Sequence, residues 1–515
     1  MKRFFSRVGR FFWSWMFLKI LLWTATLIVL FYAEEDWRGA RAWSATKSKW
    51  EARGETFDFN RLVPPPIPDS ENLAAIPLFK LEPDPEQGGE LAPLDLLRAT
   101  RRYPSNMELP RLGNWQKGTL PDDQKIRQEI AAAYLEIFKK APPSQDPLVQ
   151  LNAIFPFIAA LRSAAAIRPL CDFHQTYRSA PPDDFFIGLL TAQLFVARIL
   201  TLHAVVALGE HQPNVALQDI QVGLELDSGL RRQPLLVAGL CALATNALLT
   251  TAIYDGLSVH AWNDSQLAGL ESTLRQVDFL SDYQCAIRGN SLGIYLPALE
   301  GLKRDRSRLK NDFQLLRESS LKMKIDDFFP DLWPDGWLDQ EKSRVLDAGL
   351  SAVHFVDAKC RIVFPGSVDQ LVSKIARNQE DLDPDAGWNV FLRNVTPTLT
   401  AAVRKFAIEQ VWIDQARIVC ALERYRLAHH AYPDSLAPLV PDYINDLPHD
   451  IFNGQPYHYR LLSNGNFLLY SVGWNQKDDG GVFIPEPDDS FRLESKFGDW
   501  LWPVPPASSE NLPPQ

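Results

Sequence analysis

Residues 11–33, FFWSWMFLKILLWTATLIVLFYA, constrain this chain more than any other stretch. They form a 23-residue run interrupted only by Ser14, Thr24, Thr26 and the single charge of Lys19. A helix rises about 1.5 Å per residue, so the run covers the ~30 Å hydrocarbon core of a bilayer. Lys2, Arg3, Arg7, Arg10 and Lys19 lie toward one end, and Glu34, Glu35 and Asp36 follow the other. Positive charge stays with the cytoplasm, which puts the N-terminus inside and residues 34–515 outside. A signal peptidase needs small residues one and three places before its cut. Ala33 supplies one, but Phe31 and Tyr32 precede it, and the run exceeds a usual signal core. The expectation is an uncleaved anchor, with the Lys19 stem reaching back to the headgroups.

The rest is ordinary globular material, 46% hydrophobic and 23% charged, so a packed body is expected outside the membrane. A net charge of −10, with no basic stripe beyond the N-terminus, argues against nucleic acid as a partner. The five cysteines (Cys171, Cys241, Cys285, Cys360, Cys420) form no CxxC pair and read mostly as small core residues. Residues 1–10 form a basic cytoplasmic tail, 11–33 the transmembrane helix, and 34–121 a polar helical start followed by a proline-rich stalk. Residues 122–398 read as an α-helical domain, because apolar residues recur at helical spacing and no comparable stretch alternates. The runs at 185–209 and 235–257 have the length of membrane spans. Arg198 and His203 interrupt the first, and Asn246, Thr250 and Thr251 the second, so buried helices of a bundle are expected. AVVALGEHQPNVALQDIQVGLEL reads helix, turn, helix, without a second copy at a fixed period.

A last long helix is expected from about 399 to 429, with Ile418, Leu422 and Tyr425 on one face. YHYRLL and FLLYSVG follow, joined by Ser463-Asn464-Gly465-Asn466, a strong hairpin signal. Several blocks here occur in a fixed order. They are Ala421-Leu422-Glu423-Arg424-Tyr425-Arg426, Tyr432-Pro433-Asp434-Ser435-Leu436, Leu447-Pro448-His449-Asp450, Asn453-Gly454-Gln455-Pro456-Tyr457-His458-Tyr459, and Ser471-Val472-Gly473 leading to Asp478-Asp479-Gly480-Gly481. On these blocks, residues 412–481 resemble the C-terminal part of the major pseudopilin of type II secretion systems. The module is bounded at 399–483, before a proline-rich acidic tail at 484–515. The whole chain resembles a bacterial membrane-anchored envelope family carrying such an end. That implies the inner membrane, a periplasmic bulk and envelope protein partners. Gly9 precedes Arg10-Phe11-Phe12-Trp13-Ser14 without the glutamate of a prepilin site, so the resemblance concerns the module and not the anchor.

In pseudopilins of this type the last loop binds calcium, which implies Asn475, Asp478 and Asp479 as metal ligands here. Calcium takes six to eight oxygens, and two carboxylates with an amide would supply about half. Asp-Asp-Gly-Gly is equally an ordinary solvated turn. Asp381, Asp383 and Asp385 have the spacing of an EF-hand start, but Ala386 and Leu392 replace the required glycine and glutamate. No other cofactor is expected.

Catalytic patterns are sparse. Gly289-Asn290-Ser291-Leu292-Gly293 fits G-x-S-x-G, with Asp347 and His354 downstream, but its surroundings read helical where a nucleophile elbow needs strand, turn and helix. His429-His430, His449 and His458 lack any partner at metal-site spacing. The aromatic stretch FFPDLWPDGW (328–337) is a packing patch or a contact surface. The expected fold is mainly α: a transmembrane helix, a helical bundle or superhelical body, and a small α+β module with an antiparallel hairpin. The expected role is a non-enzymatic scaffold acting through protein contacts. A hydrolase using Ser291 and a periplasmic ligand-binding protein are the alternatives.

Overall fold

The computed structural model describes residues 15–83, 91–93, 125–126, 128–129, 146–173, 187–304, 333–380, 390–484 and 496–503. The expectations for the basic tail, for half of the aromatic stretch at 328–337, for 381–389 and for much of the stalk and final tail lie outside these residues. Helices dominate. They are α1 (Trp15–Glu51), α2 (Pro147–Ile154), α3 (Phe157–Ala165), α4 (Ile187–Gly209), α5 (Pro213–Arg231), α6 (Leu236–Ser258), α7 (Asp264–Leu274), α8 (Phe279–Asn290), α9 (Leu296–Arg304), α10 (Asp335–Val353), α11 (Pro365–Glu380) and α12 (Val390–His429). The strands are short: β1 (Leu81–Pro83), β2 (Leu91–Pro93), β3 (Val356–Asp357), β4 (Ile362–Val363), β5 (His458–Leu461), β6 (Phe467–Ser471), β7 (Phe483–Ile484), β8 (Phe497–Gly498) and β9 (Trp500–Leu501).

The chain divides into two compact units. The first comprises Met1–Phe59, Ser291–Ala352 and Leu371–Leu399. Its main element is α1, which continues without a break for 18 residues beyond Ala33. No proline interrupts it, and it stops where Gly54 adopts φ +87°. Glu55 N–H then donates to Trp50 C=O and Gly54 N–H to Glu51 C=O, closing a Schellman motif.

The second unit comprises Asn60–Asn290, Val353–Gln370 and Thr400–Gln515. Helices α4, α5 and α6 pack on one another, and the turn between α4 and α5 ends in His211 at φ 56° before Pro213 opens α5. Asn263 and Gln266 make a capping box at the start of α7. The part of α12 in this unit is buried almost all round, from Val403 to Cys420. Its polar residues each reach a different neighbour. Glu409 accepts from Asn246 of α6 (2.9 Å), and Gln410 from the Phe279 N–H of α8 (2.8 Å). Gln415 donates to the Trp500 carbonyl (2.9 Å), and Arg417 to Glu271 of α7 (2.9 Å). Buried polar groups cost little only when paired, so these contacts fix the rotation of α12 as well as its position.

The stretch expected as a stalk behaves differently from Asn60 onward. Asn72, Leu73 and Phe79 are buried, and Asn72 pairs in both directions with Asp172 (3.0 and 2.9 Å). Proline keeps this segment out of regular helix but does not keep it out of the core.

At the C-terminal end β5 and β6 pair antiparallel from His458↔Tyr470 to Leu461↔Phe467, and β9 adds to β6 at Ser471↔Trp500. The hairpin loop is the three-residue kind. Leu462 N–H reaches Asn466 C=O, and only Gly465 takes positive φ (+84°). The Asn-Gly signal marked the hairpin, although Asn464 does not share the left-handed conformation.

Candidate functional site

The feature of the first unit with most bearing on function is the pairing of α1 with α10. Contacts advance in step along the two helices, from Glu35 with Trp337 to Trp50 with Asp347, so they run parallel. Glycine permits their closest approach. A Cβ on Gly39 would stand 2.3 Å from the Gly336 carbonyl oxygen, and one on Gly336 would stand 1.9 Å from that of Glu35. Around this point Glu35, only 8% exposed, accepts from Arg38 (2.9 Å), Trp337 Nε1 (3.0 Å) and Gln340 Nε2 (3.2 Å). Asp36 accepts from the Gly336 N–H (2.8 Å). Farther along, the Lys342 ammonium sits 4.2 Å from the Trp43 ring centroid, and Lys49 and Trp50 both donate to Asp347.

Between the helices runs an open groove of about 460 Å³, lined by Arg38, Thr46, Lys49, Gln340, Arg344 and Asp347 over alanines. Burial pushes neighbouring Glu341 up to about 7, against the pull of Arg344 and the backbone of Phe391 and Leu392.

The residues implied as calcium ligands are only partly brought together. Asn475 Nδ2 donates to Asp479 (2.8 Å), whereas Asp478 accepts from the Tyr470 hydroxyl (2.9 Å) and the Gly480 N–H (2.9 Å). The Gly480 contact holds the Asp478 carboxyl below its usual range. The loop closes on a residue not anticipated from the sequence. Asp499, fully buried, accepts from the N–H groups of Asp479 (3.1 Å), Gly481 (2.7 Å) and Val482 (3.2 Å). Asn475 and Asp479 thus stand together, while Asp478 is turned to Tyr470 and Gly480. Among the described residues no three His, Cys, Asp or Glu side chains are grouped to hold a metal. Asp499 falls inside the stretch read as a proline-rich acidic tail (484–515), yet β9 beside it pairs with β6 of the module.

Two of the last blocks meet in the structure through Asp450. Asp450, fully buried, accepts from Phe452 N–H (3.0 Å), the Ser471 hydroxyl (3.0 Å) and Val472 N–H (2.8 Å), joining the Leu447-Pro448-His449-Asp450 block to Ser471-Val472-Gly473. The histidines are dispersed. His430 ends α12 at φ 59°, His429 stacks on Tyr425 (4.1 Å), and His458 stacks on Tyr470 (4.9 Å).

Ser291 begins a π-helical turn, Ser291–Tyr295, that follows α8, and is fully buried. Its Oγ lies where a Cβ on Gly349 would come within 2.3 Å. Asp347 is engaged by Lys49 and Trp50, and His354 is exposed. A buried group that sequence reasoning missed lies in the second unit. His203 Nδ1 sits 2.7 Å from Asp219 Oδ2, and Arg162 Nε donates to Asp219 Oδ1 (2.7 Å). His203 and Asp219 are fully buried, so solvent does not reach the imidazole. Their separation along the chain offers no motif by which to find them.

The chain matches no protein-family model, no curated protein and no solved structure.

Proposed function

We propose that this protein is a membrane-anchored, non-enzymatic scaffold of the bacterial envelope, with its N-terminus in the cytoplasm and its bulk in the periplasm. One observation carries the reading. Helix α1 is long and apolar enough to cross a membrane, its apolar window is 0% buried, and the same helix continues outward to be clamped along α10. Anchor and outer stem are therefore one continuous helix, suited to tethering the α1–α10 pair beside the bilayer. The excess of Lys and Arg before the span supports the orientation. The pseudopilin-like blocks around α12, β5 and β6 support partners drawn from secretion or pilus-type machinery.

In-cell crosslinking of the full-length protein, followed by affinity purification and mass spectrometry, tests this. Enrichment of secretin, pilin or inner-membrane secretion components is expected. Their absence would remove the secretion link. Replacing Ser291 by alanine is expected to leave the cellular phenotype unchanged, because the Oγ is enclosed; a loss of phenotype with the fold intact would overturn the non-enzymatic reading.

A further inference from the structure

The first turn of α10 stands level with the outer end of the apolar span. The Trp337 ring lies 6.1 Å from that of Phe31, edge to face, and Phe31 is two residues short of the end of the apolar run. Side chains on a helix lean toward its N-terminus, and α10 runs outward in parallel with α1, so Trp337 points back toward the bilayer. Its Nε1 stays on Glu35 while its ring reaches Phe31, an apolar body with one polar tip placed across the boundary. Trp333 and Pro334 precede this turn. On α1, Tyr32 and the 57% exposed Trp37 occupy the same level, with the Arg41 guanidinium 5.3 Å from the Trp37 ring centroid.

We infer that the N-terminal end of α10 is a second membrane contact, in which Trp333 and Trp337 join Tyr32 and Trp37 in an aromatic collar seated in the lipid headgroup layer. Tryptophan and tyrosine favour that layer because one side of each ring is apolar and the other can hydrogen-bond. The exposed acids Glu34 and Asp36 at the same level make an anionic lipid a poor partner, so the contact requires only a zwitterionic surface. The collar fixes the depth of the anchor and the direction in which the stem leaves the membrane.

This inference rests on the anchored reading, and one experiment separates the two. Full-length protein carrying Cys360→Ser, to remove the exposed thiol, is reconstituted in phosphatidylcholine nanodiscs. Nitroxide labels are placed singly at Leu22→Cys, Trp333→Cys and Ser48→Cys. Ser48 lies about 22 Å along the helix beyond Ala33. Collision with oxygen and with a water-soluble nickel complex gives the depth of each. The label at 22 should sit in hydrocarbon, that at 48 in water, and that at 333 between them. A label at 333 as wet as that at 48, with 22 in hydrocarbon, overturns the collar and leaves the anchor standing. A wet label at 22 overturns both. Should the Trp333→Cys protein fail to fold, brominated-lipid quenching of Trp337→Phe against the parent gives the same reading, a loss of quenched emission being expected and an unchanged quenched fraction overturning the collar.

Discussion

Helix α1 and the pair α4 and α6 are comparably apolar, and all three contain stretches long enough to cross a bilayer. Their surroundings are opposite. None of the apolar window of α1 is buried by protein, whereas 78% of the α4 window and 67% of that in α6 are. The difference lies in the polar residues each carries. In α1 the Thr24 and Thr26 hydroxyls bond back to the carbonyls of Ile20 (2.9 Å) and Leu22 (2.8 Å), so neither needs a partner from another helix. Helix α4 carries His203, which needs Asp219, and α6 carries Asn246, which needs Glu409. Apolar length says that water must be excluded; side-chain partners decide whether lipid or protein excludes it.

The sharpest way to break this comparison is one substitution in two places. Ile199→Asp puts a charge on a fully buried position of α4 and should cost about 3–5 kcal/mol, enough to leave the second unit unfolded in urea and protease assays. Leu27→Asp, at a 62% exposed position of α1, should leave the urea midpoint of the body in place. Its penalty of about 2.5–3.5 kcal/mol should appear instead as protein extracted by alkaline carbonate. Equal behaviour of the two variants would erase the distinction between α1 and α4.

A smaller effect is expected where α1 leaves its exposed half. Gly39→Val drives a side chain into the Gly336 backbone and should weaken the pairing with α10 by about 1–3 kcal/mol. Faster amide exchange along α10 is the readout, and unchanged protection would count against the clamp.

The second unit should also respond to pH. Burial, opposed by the nearby Arg231, pushes Asp282 up to about 7 from an ordinary value of 3.8. The folded state then holds a proton that the unfolded chain releases. Stability should therefore fall as pH rises from about 4 to about 7 and level off above. Urea midpoints from pH 4 to 8 would show the slope, and Asp282→Asn should lessen it, the remainder coming from Glu225 and Asp227, which burial raises to about 7 and about 6. The smallest effect belongs to the exposed pair of Lys49 and Asp347, with side chains 41% and 34% exposed. A double-mutant cycle there should return at most about 1 kcal/mol, and less in high salt.

Much of the fold was legible because periodicity reports it directly. The anchor, the buried runs of α4 and α6, the long α12 and the β5–β6 hairpin all announce themselves through spacing or through an Asn-Gly turn. The proline-rich segment misled, because proline forbids helix without forbidding burial, and Asn72 found its partner in Asp172 a hundred residues away. The loop at 475–482 was legible as a turn, but its organiser, Asp499, arrives from a stretch with no pattern at all.

By itself the sequence determined which stretches need shelter from water and which residues start, stop and turn the chain, since those are properties of neighbours along the backbone. Only the tertiary structure decided that two glycines, Gly39 and Gly336, would bring α1 and α10 into backbone contact. It alone put Trp337 beside Phe31 and buried His203 against Asp219. These pairings join residues 16 to about 300 positions apart, and each exists only because packing brings distant segments to one place, closely where both lack a side chain and with partners met where they are polar or bulky.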